Sequence, residues 1–117
     1  MAKEAVTIFH NPNCGTSRNV LAALRERGAE PRVVEYLKAG WTRPQLRGLL
    51  KAMNARPRDV LRTRGTPAEA MGISADSTDA AILDAMVAEP ILVERPIVVT
   101  PKGTALCRPA DRLEALL

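Results

Sequence analysis

Residues 9–19, FHNPNCGTSRN, hold the only histidine of the chain and one of its two cysteines. Cys14 falls where a short apolar stretch gives way to a helical pattern. The free N–H groups and the dipole at a helix N-terminus stabilise an anion. A thiol set there has its pKa lowered from about 8.5, and the thiolate is the nucleophile. Gly15 lets the backbone come close to a bound anion, and the hydroxyls of Thr16 and Ser17 can donate hydrogen bonds to it. Ser17 stands where the second thiol of a Cys-x-x-Cys pair would be. Cys14 can therefore attack, but an outside reductant is needed to resolve the product. His10 could hold charge near the thiolate or donate a hydrogen bond to it. Simpler roles compete with each of these: an inert buried cysteine, a loop histidine bonded to backbone carbonyls, and hydroxyls that cap the helix.

Three other segments each carry an arginine at the end of an expected element. Arg62 lies in VLRTRG with Arg64 close by, Arg95 precedes Pro96 in ERPIVV, and Arg108 follows Cys107 in LCRP. A thiolate with converging guanidiniums would form a pocket for a tetrahedral oxyanion, the forks holding oxygens as charge develops. For any single arginine the competing role is a solvated surface charge, and spacing alone does not bring the three together. The Arg95–Pro96 bond could be cis, a costly feature usually kept for tight local geometry. Cys107 reads as a small apolar strand residue.

The elements that must position these groups follow from the patterning. Residues 5–9, AVTIF, form a short β-rich run bounded by HNPN, which predicts a buried strand entering a loop. TSRNVLAALRERG has helical spacing and a glycine stop at Gly28, and PRVVEYL is a second strand, so the chain opens β-α-β. The middle predicts helices: TRPQLRGLLKAM with Thr42 as N-cap and Pro44 in the first turn, short pieces at RPRDVLR and TPAEAMG, and an amphipathic helix in STDAAILDAMVAEP capped by Ser77 or Thr78. IVV and TALC around TPKG predict a hairpin, and PADRLEALL a closing helix with Pro109 in its first turn. The expected fold class is α/β, a mixed sheet in the order β-α-β, helical insertion at about 42–90, β-β-α, within one domain over residues 1–117.

Composition narrows the partners. The chain of 117 residues is 46% hydrophobic and 26% charged, with only 3% aromatic residues. So few aromatics leave little for base stacking, which argues against single-stranded nucleic acid as the main ligand. The net charge of +4, mostly from arginine, favours anionic partners and leans towards forked recognition of oxyanions. No apolar run approaches the ~18 residues of a membrane span. The N-terminus, with Glu4 before its brief apolar stretch, shows no signal peptide, so a cytoplasmic location is expected. In a reducing cytosol two distant cysteines do not predict a disulfide, and with one histidine they give no metal-ligand spacing.

Taken together, HNPNCGTSRNVL, VLRTRGTP, STDAAILDAMVAEPILVERP and RPIVVTPKGTALCRP resemble the glutaredoxin-coupled arsenate reductases of the ArsC family, in the same order and over nearly the full chain. The combination of CGTSRN with RPIVVTPKG and LCRP is specific; one piece alone is not. The resemblance implies a thioredoxin-like fold with a helical insertion and reduction of arsenate to arsenite. It places the nucleophile on Cys14, its supporting histidine and serine on His10 and Ser17, and the active-site arginines on Arg62, Arg95 and Arg108. It implies no bound cofactor or metal. Glutathione would be co-substrate and glutaredoxin the partner that resolves a mixed disulfide, with the chain expected to act as a monomer. Glu94, beside Arg95, adds a carboxylate near the implied anion site.

Two other functions compete with arsenate reduction. Regulators of the Spx type share the fold and contact RNA polymerase, but usually carry Cys-x-x-Cys, whereas this chain has Cys-x-x-Ser and all three arginines. A monothiol glutathione-dependent oxidoreductase acting on another substrate would fit the single reactive thiol.

Overall fold

The computed structural model of the protein describes residues 5–117; residues 1–4, part of the stretch read above for a leader, lie outside them. Four strands form one mixed sheet: β1 (Thr7–His10), β2 (Arg32–Glu35), β3 (Ile97–Thr100) and β4 (Gly103–Leu106), in the order β2-β1-β3-β4. β1 runs parallel to β2 and antiparallel to β3, which is antiparallel to β4. The central pair is apolar: the register partners Ile8 and Val98 are both wholly buried.

The parallel β1–β2 pair needs a crossover, supplied by α1 (Gly15–Glu26). Its buried residues, Ser17, Val20, Leu21 and Leu24, follow the spacing of one helical face. Val20, Leu21 and Leu24 join Val6, Ile8, Val98, Leu113 and Leu116 in a single apolar cluster. Gly28, at φ +82°, ends the helix in the left-handed conformation, and the Ala29 N–H donates to the Leu24 carbonyl to close the terminus.

The chain divides into two compact units, residues 1–39 with 95–117, and residues 40–94. The first unit contains the sheet, α1 and the short helix α2 (Tyr36–Ala39). The second contains α3 (Arg43–Met53), α4 (Asp79–Ala88) and 3-10 turns at Pro57–Val60 and Pro90–Leu92. In α3, Thr42 and Gln45 form a reciprocal capping box, with the Gln45 N–H 3.2 Å from Thr42 Oγ1.

Several elements differ from the sequence expectation. PRVVEYL is a strand only to Glu35, because β1 ends opposite it at His10; Tyr36 begins α2. TPAEAMG is a single turn closed by Gly72 at φ +71°, with the Ile73 N–H on the Ala68 carbonyl. Thr78, not Ser77, caps α4, while Ser77 Oγ accepts from the Ser74 N–H. α4 is less one-sided than expected: Ile82, Leu83, Ala85 and Met86 are buried, but apolar Val87 is exposed. The C-terminal piece is a 3-10 helix, Ala110–Leu116, whose buried Leu113 and Leu116 fall three residues apart, the period of that helix.

All three aromatic side chains, Phe9, Tyr36 and Trp41, are buried, so none is presented for stacking. Among the described residues no helix is long and apolar enough to cross a membrane.

Candidate active site

Local turn chemistry fixes the loop that carries Cys14. The Asn11 carbonyl accepts from the Cys14 N–H at 3.0 Å, and Asn11 Oδ1 accepts from the Asn13 N–H at 2.9 Å. An asparagine that bonds the backbone two residues on is a turn former, and Pro12 has no N–H to continue the strand. The turn leaves Cys14 as the N-cap of α1, its carbonyl accepting the first helical bond from the Arg18 N–H at 3.0 Å. Arg18 steadies the loop from outside, donating from Nη1 to the Pro12 carbonyl at 2.9 Å.

The β3–β4 hairpin delivers two arginines to the same sulfur. Ile97 is paired with Leu106, and one step outward the Cys107 N–H donates to the Pro96 carbonyl at 2.9 Å. The next step sets Arg95 and Arg108 side by side. Arg108 Nη1 lies 3.6 Å from Cys14 Sγ and 3.3 Å from the Arg95 carbonyl oxygen. Arg95 is 8% exposed, and its Nε and Nη1 are buried without a hydrogen-bond partner among the described residues. Buried guanidinium donors left unsatisfied are costly; an oxyanion would satisfy them. The Arg95–Pro96 and Arg108–Pro109 bonds are both cis.

The electrostatics of the thiol follow from this setting. Burial is the largest single influence on Cys14 and pushes its pKa up. The Ser17 backbone N–H, hydrogen bonding from Arg95 and Arg108, and the charge of Arg95 act the other way, and the net result lies below the ordinary thiol value. Cys107 is the opposite case. Desolvation outweighs the opposing charge of Arg112 and leaves it pushed up to about 11, and among the described residues its sulfur meets the Ala105 carbonyl at 3.8 Å.

His10 and Ser17 form a buried pair, with Nδ1 and Oγ 2.6 Å apart. Ser17 lies on the core-facing side of α1, so its hydroxyl needs internal partners. It has two, His10 and the Asn11 N–H at 3.1 Å. Burial lowers the His10 pKa; Glu35 opposes this, while Arg25 and Arg18 reinforce it. The imidazole is buried and bonded to Ser17 through Nδ1. The lowered pKa works against a positive charge on His10. Ser17 Oγ accepts from the Asn11 N–H, outside α1, rather than capping the helix. Thr16 is half-buried and Gly15 exposed at the start of α1, where a Cβ on Gly15 would lie 3.7 Å from Arg18 Nη2.

The family model for the ArsC family matches residues 9–116. The chain belongs to the ArsC family. Among its curated relatives, an arsenate reductase of Synechocystis sp. is 52% identical over 118 residues, covering 100% of this chain and 82% of that protein. The arsenate reductase of Escherichia coli strain K12 is 47% identical over 107 residues, covering 91% and 76%. The solved arsenate reductase from Vibrio cholerae superposes with a TM-score of 0.91 at 30% identity, covering 99% of this chain and 100% of that one. The mixed sheet with its helical insertion is the thioredoxin-like fold of these ArsC-family structures.

In this ArsC-family chain the first unit gathers Cys14, His10, Ser17, Arg95 and Arg108. Arg62 belongs to the second unit, where its Nη1 donates to Glu94 Oε1 at 2.9 Å. Sequence reasoning passed over Asn11, which is 2% exposed and bonded through its N–H, carbonyl and side chain. The Asn-Pro-Asn turn signal could have marked it. The pairing of Glu94 with Arg62 was also missed, because it joins residues 32 positions apart.

Proposed function

We propose that this chain is an arsenate reductase that uses Cys14 as its nucleophile. The observation that carries the reading is the placement of the Cys14 sulfur at a helix N-cap, 3.6 Å from Arg108 and beside a buried Arg95 whose Nε and Nη1 have no partner among the described residues, in an ArsC-family chain.

The Cys14 thiolate attacks the arsenic of arsenate, and an arsenate hydroxyl leaves as water once protonated. The product is a covalent thiol ester of As(V). Arg95 and Arg108 hold the oxygens as negative charge moves onto them, with Arg62 proposed as the third arginine by family membership. A glutathione thiol then adds and reduces the arsenic, and glutaredoxin resolves the resulting mixed disulfide. Overall, one arsenate and two thiols give arsenite, one disulfide and one water. External thiols are favoured because Ser17 occupies the resolving position and the other cysteine, Cys107, is a buried thiol with a raised pKa. A reducing cytoplasm suits this scheme.

The test is NADPH consumption coupled through glutathione reductase, with arsenate, glutathione and glutaredoxin, and phosphate as control substrate. Arsenate-dependent turnover that disappears in Cys14→Ser is expected. Turnover retained in Cys14→Ser would exclude Cys14 as nucleophile. Turnover with an unrelated disulfide but not with arsenate would favour the general oxidoreductase.

A further inference from the structure

Asn11 is the first residue past β1, and both its backbone polar groups are taken locally. Its N–H donates to Ser17 Oγ at 3.1 Å, and its carbonyl accepts from the Cys14 N–H at 3.0 Å. Any residue but proline could make those two bonds. Only the side chain is particular to asparagine. It belongs to a residue 2% exposed, yet Oδ1 turns back on its own loop to accept from the N–H of the exposed Asn13 at 2.9 Å. Solvent could take that N–H, so the bond is not there to satisfy a core donor. It fixes the middle of the Asn11–Cys14 turn from within.

What the turn holds is the reacting sulfur. Cys14 Sγ meets the Ser17 N–H and lies 3.6 Å from Arg108 Nη1. Ser17, which supplies that N–H, is itself tied through Oγ to Asn11 and His10. The sulfur and its backbone donor therefore both hang on Asn11, and all of these residues lie in the first unit. We infer that Asn11 is a positioning residue, whose side-chain carbonyl locks the turn that seats Cys14 Sγ against the Ser17 N–H and Arg108. It acts through the Cys14 backbone rather than on the reacting atoms. The inference rests on the proposed role of Cys14 as nucleophile. A neutral amide is the acceptor that suits the place, since a carboxylate there would set a like charge near the thiolate.

The test is the pH profile of Cys14 alkylation by iodoacetamide in a Cys107→Ala background, without arsenate, beside urea denaturation to establish folding. Asn11→Ala and Asn11→Leu both remove the acceptor, and leucine does so at nearly constant volume, which avoids a cavity. Each is expected to raise the alkylation midpoint by about 0.5–1 pH unit, the scale of one hydrogen bond at the sulfur. Asn11→Ser keeps a neutral acceptor that supports the same kind of turn, and should return the midpoint most of the way to the unaltered value. An unmoved midpoint in folded Asn11→Ala or Asn11→Leu would overturn the inference, as would a rise in Asn11→Ser equal to theirs. Failure of both to fold would overturn it too, because Asn11 would then serve the fold rather than the sulfur. Alkylation needs no arsenate, so a chain that never reduces arsenate fails the reductase reading while the profiles still decide the role of Asn11.

Discussion

Arg108 Nη1 and Cys14 Sγ lie 3.6 Å apart although 94 positions separate them in the chain. The contact is a product of sheet register. β1 hands the chain to the Asn11–Cys14 turn at the end of the sheet where β3 begins and β4 finishes. Extending the Ile97–Leu106 pairing outward by two steps brings Arg95 and Arg108 abreast at that end. The Cys14–Arg108 contact is therefore set by the register of the strands that lead into it, and the arginine donors are in place before an anion arrives.

Cys107→Ala should leave arsenate turnover largely intact and cost about 1 kcal/mol of stability, as for the loss of one small buried group. The side chain is wholly buried and its thiol stays protonated up to about 11. Coupled kinetics and urea denaturation check the two halves. A large loss of turnover in a folded variant would make Cys107 a resolving thiol.

Ser17→Ala removes the acceptor for the buried Asn11 N–H and the partner of His10 Nδ1 together. Leaving buried polar groups unpaired costs about 1–3 kcal/mol, which should appear as a lower urea midpoint. A change within about 0.5 kcal/mol, the range of an ordinary surface substitution, would show that the pair does not brace the loop.

Stability should depend on pH through Cys14. Its folded pKa lies below the ordinary value of 9.0, so ionisation favours the folded state. The resulting stabilisation is fully present above the unfolded thiol pKa and is lost as pH falls through the folded one. Relative to Cys14→Ser, the unaltered protein should gain stability as pH rises through that window; the raised Cys107 is common to both and cancels. Urea midpoints measured across the window check this. A difference that is flat or shrinks with rising pH would contradict it.

Much of the fold was legible in local patterning. The apolar run before HNPN, the spacing of Val20, Leu21 and Leu24, the Thr42 cap and the TPKG turn each report an element whose local and tertiary preferences agree. Patterning was weaker where tertiary contacts decide. Tyr36 suits a strand by type, but β2 ends because its neighbour β1 turns away at Asn11. At the site, CGTS suggested an activated thiol, yet the approach of Arg108 depends on register across three strands, which spacing does not encode. Ser17 was legible in a different sense: its place on the apolar face of α1 demands an internal partner, and His10 supplies one.

Whether Arg95 and Arg108 hold Cys14 as a thiolate is read out by the pH profile of Cys14 alkylation with iodoacetamide. The Cys107→Ala background isolates the Cys14 signal. The expected midpoint lies below the ordinary thiol value and moves upward in Arg108→Ala and in Arg95→Ala, because each removes a donor and a positive charge. A midpoint at the ordinary value, or one that neither substitution moves, would contradict it.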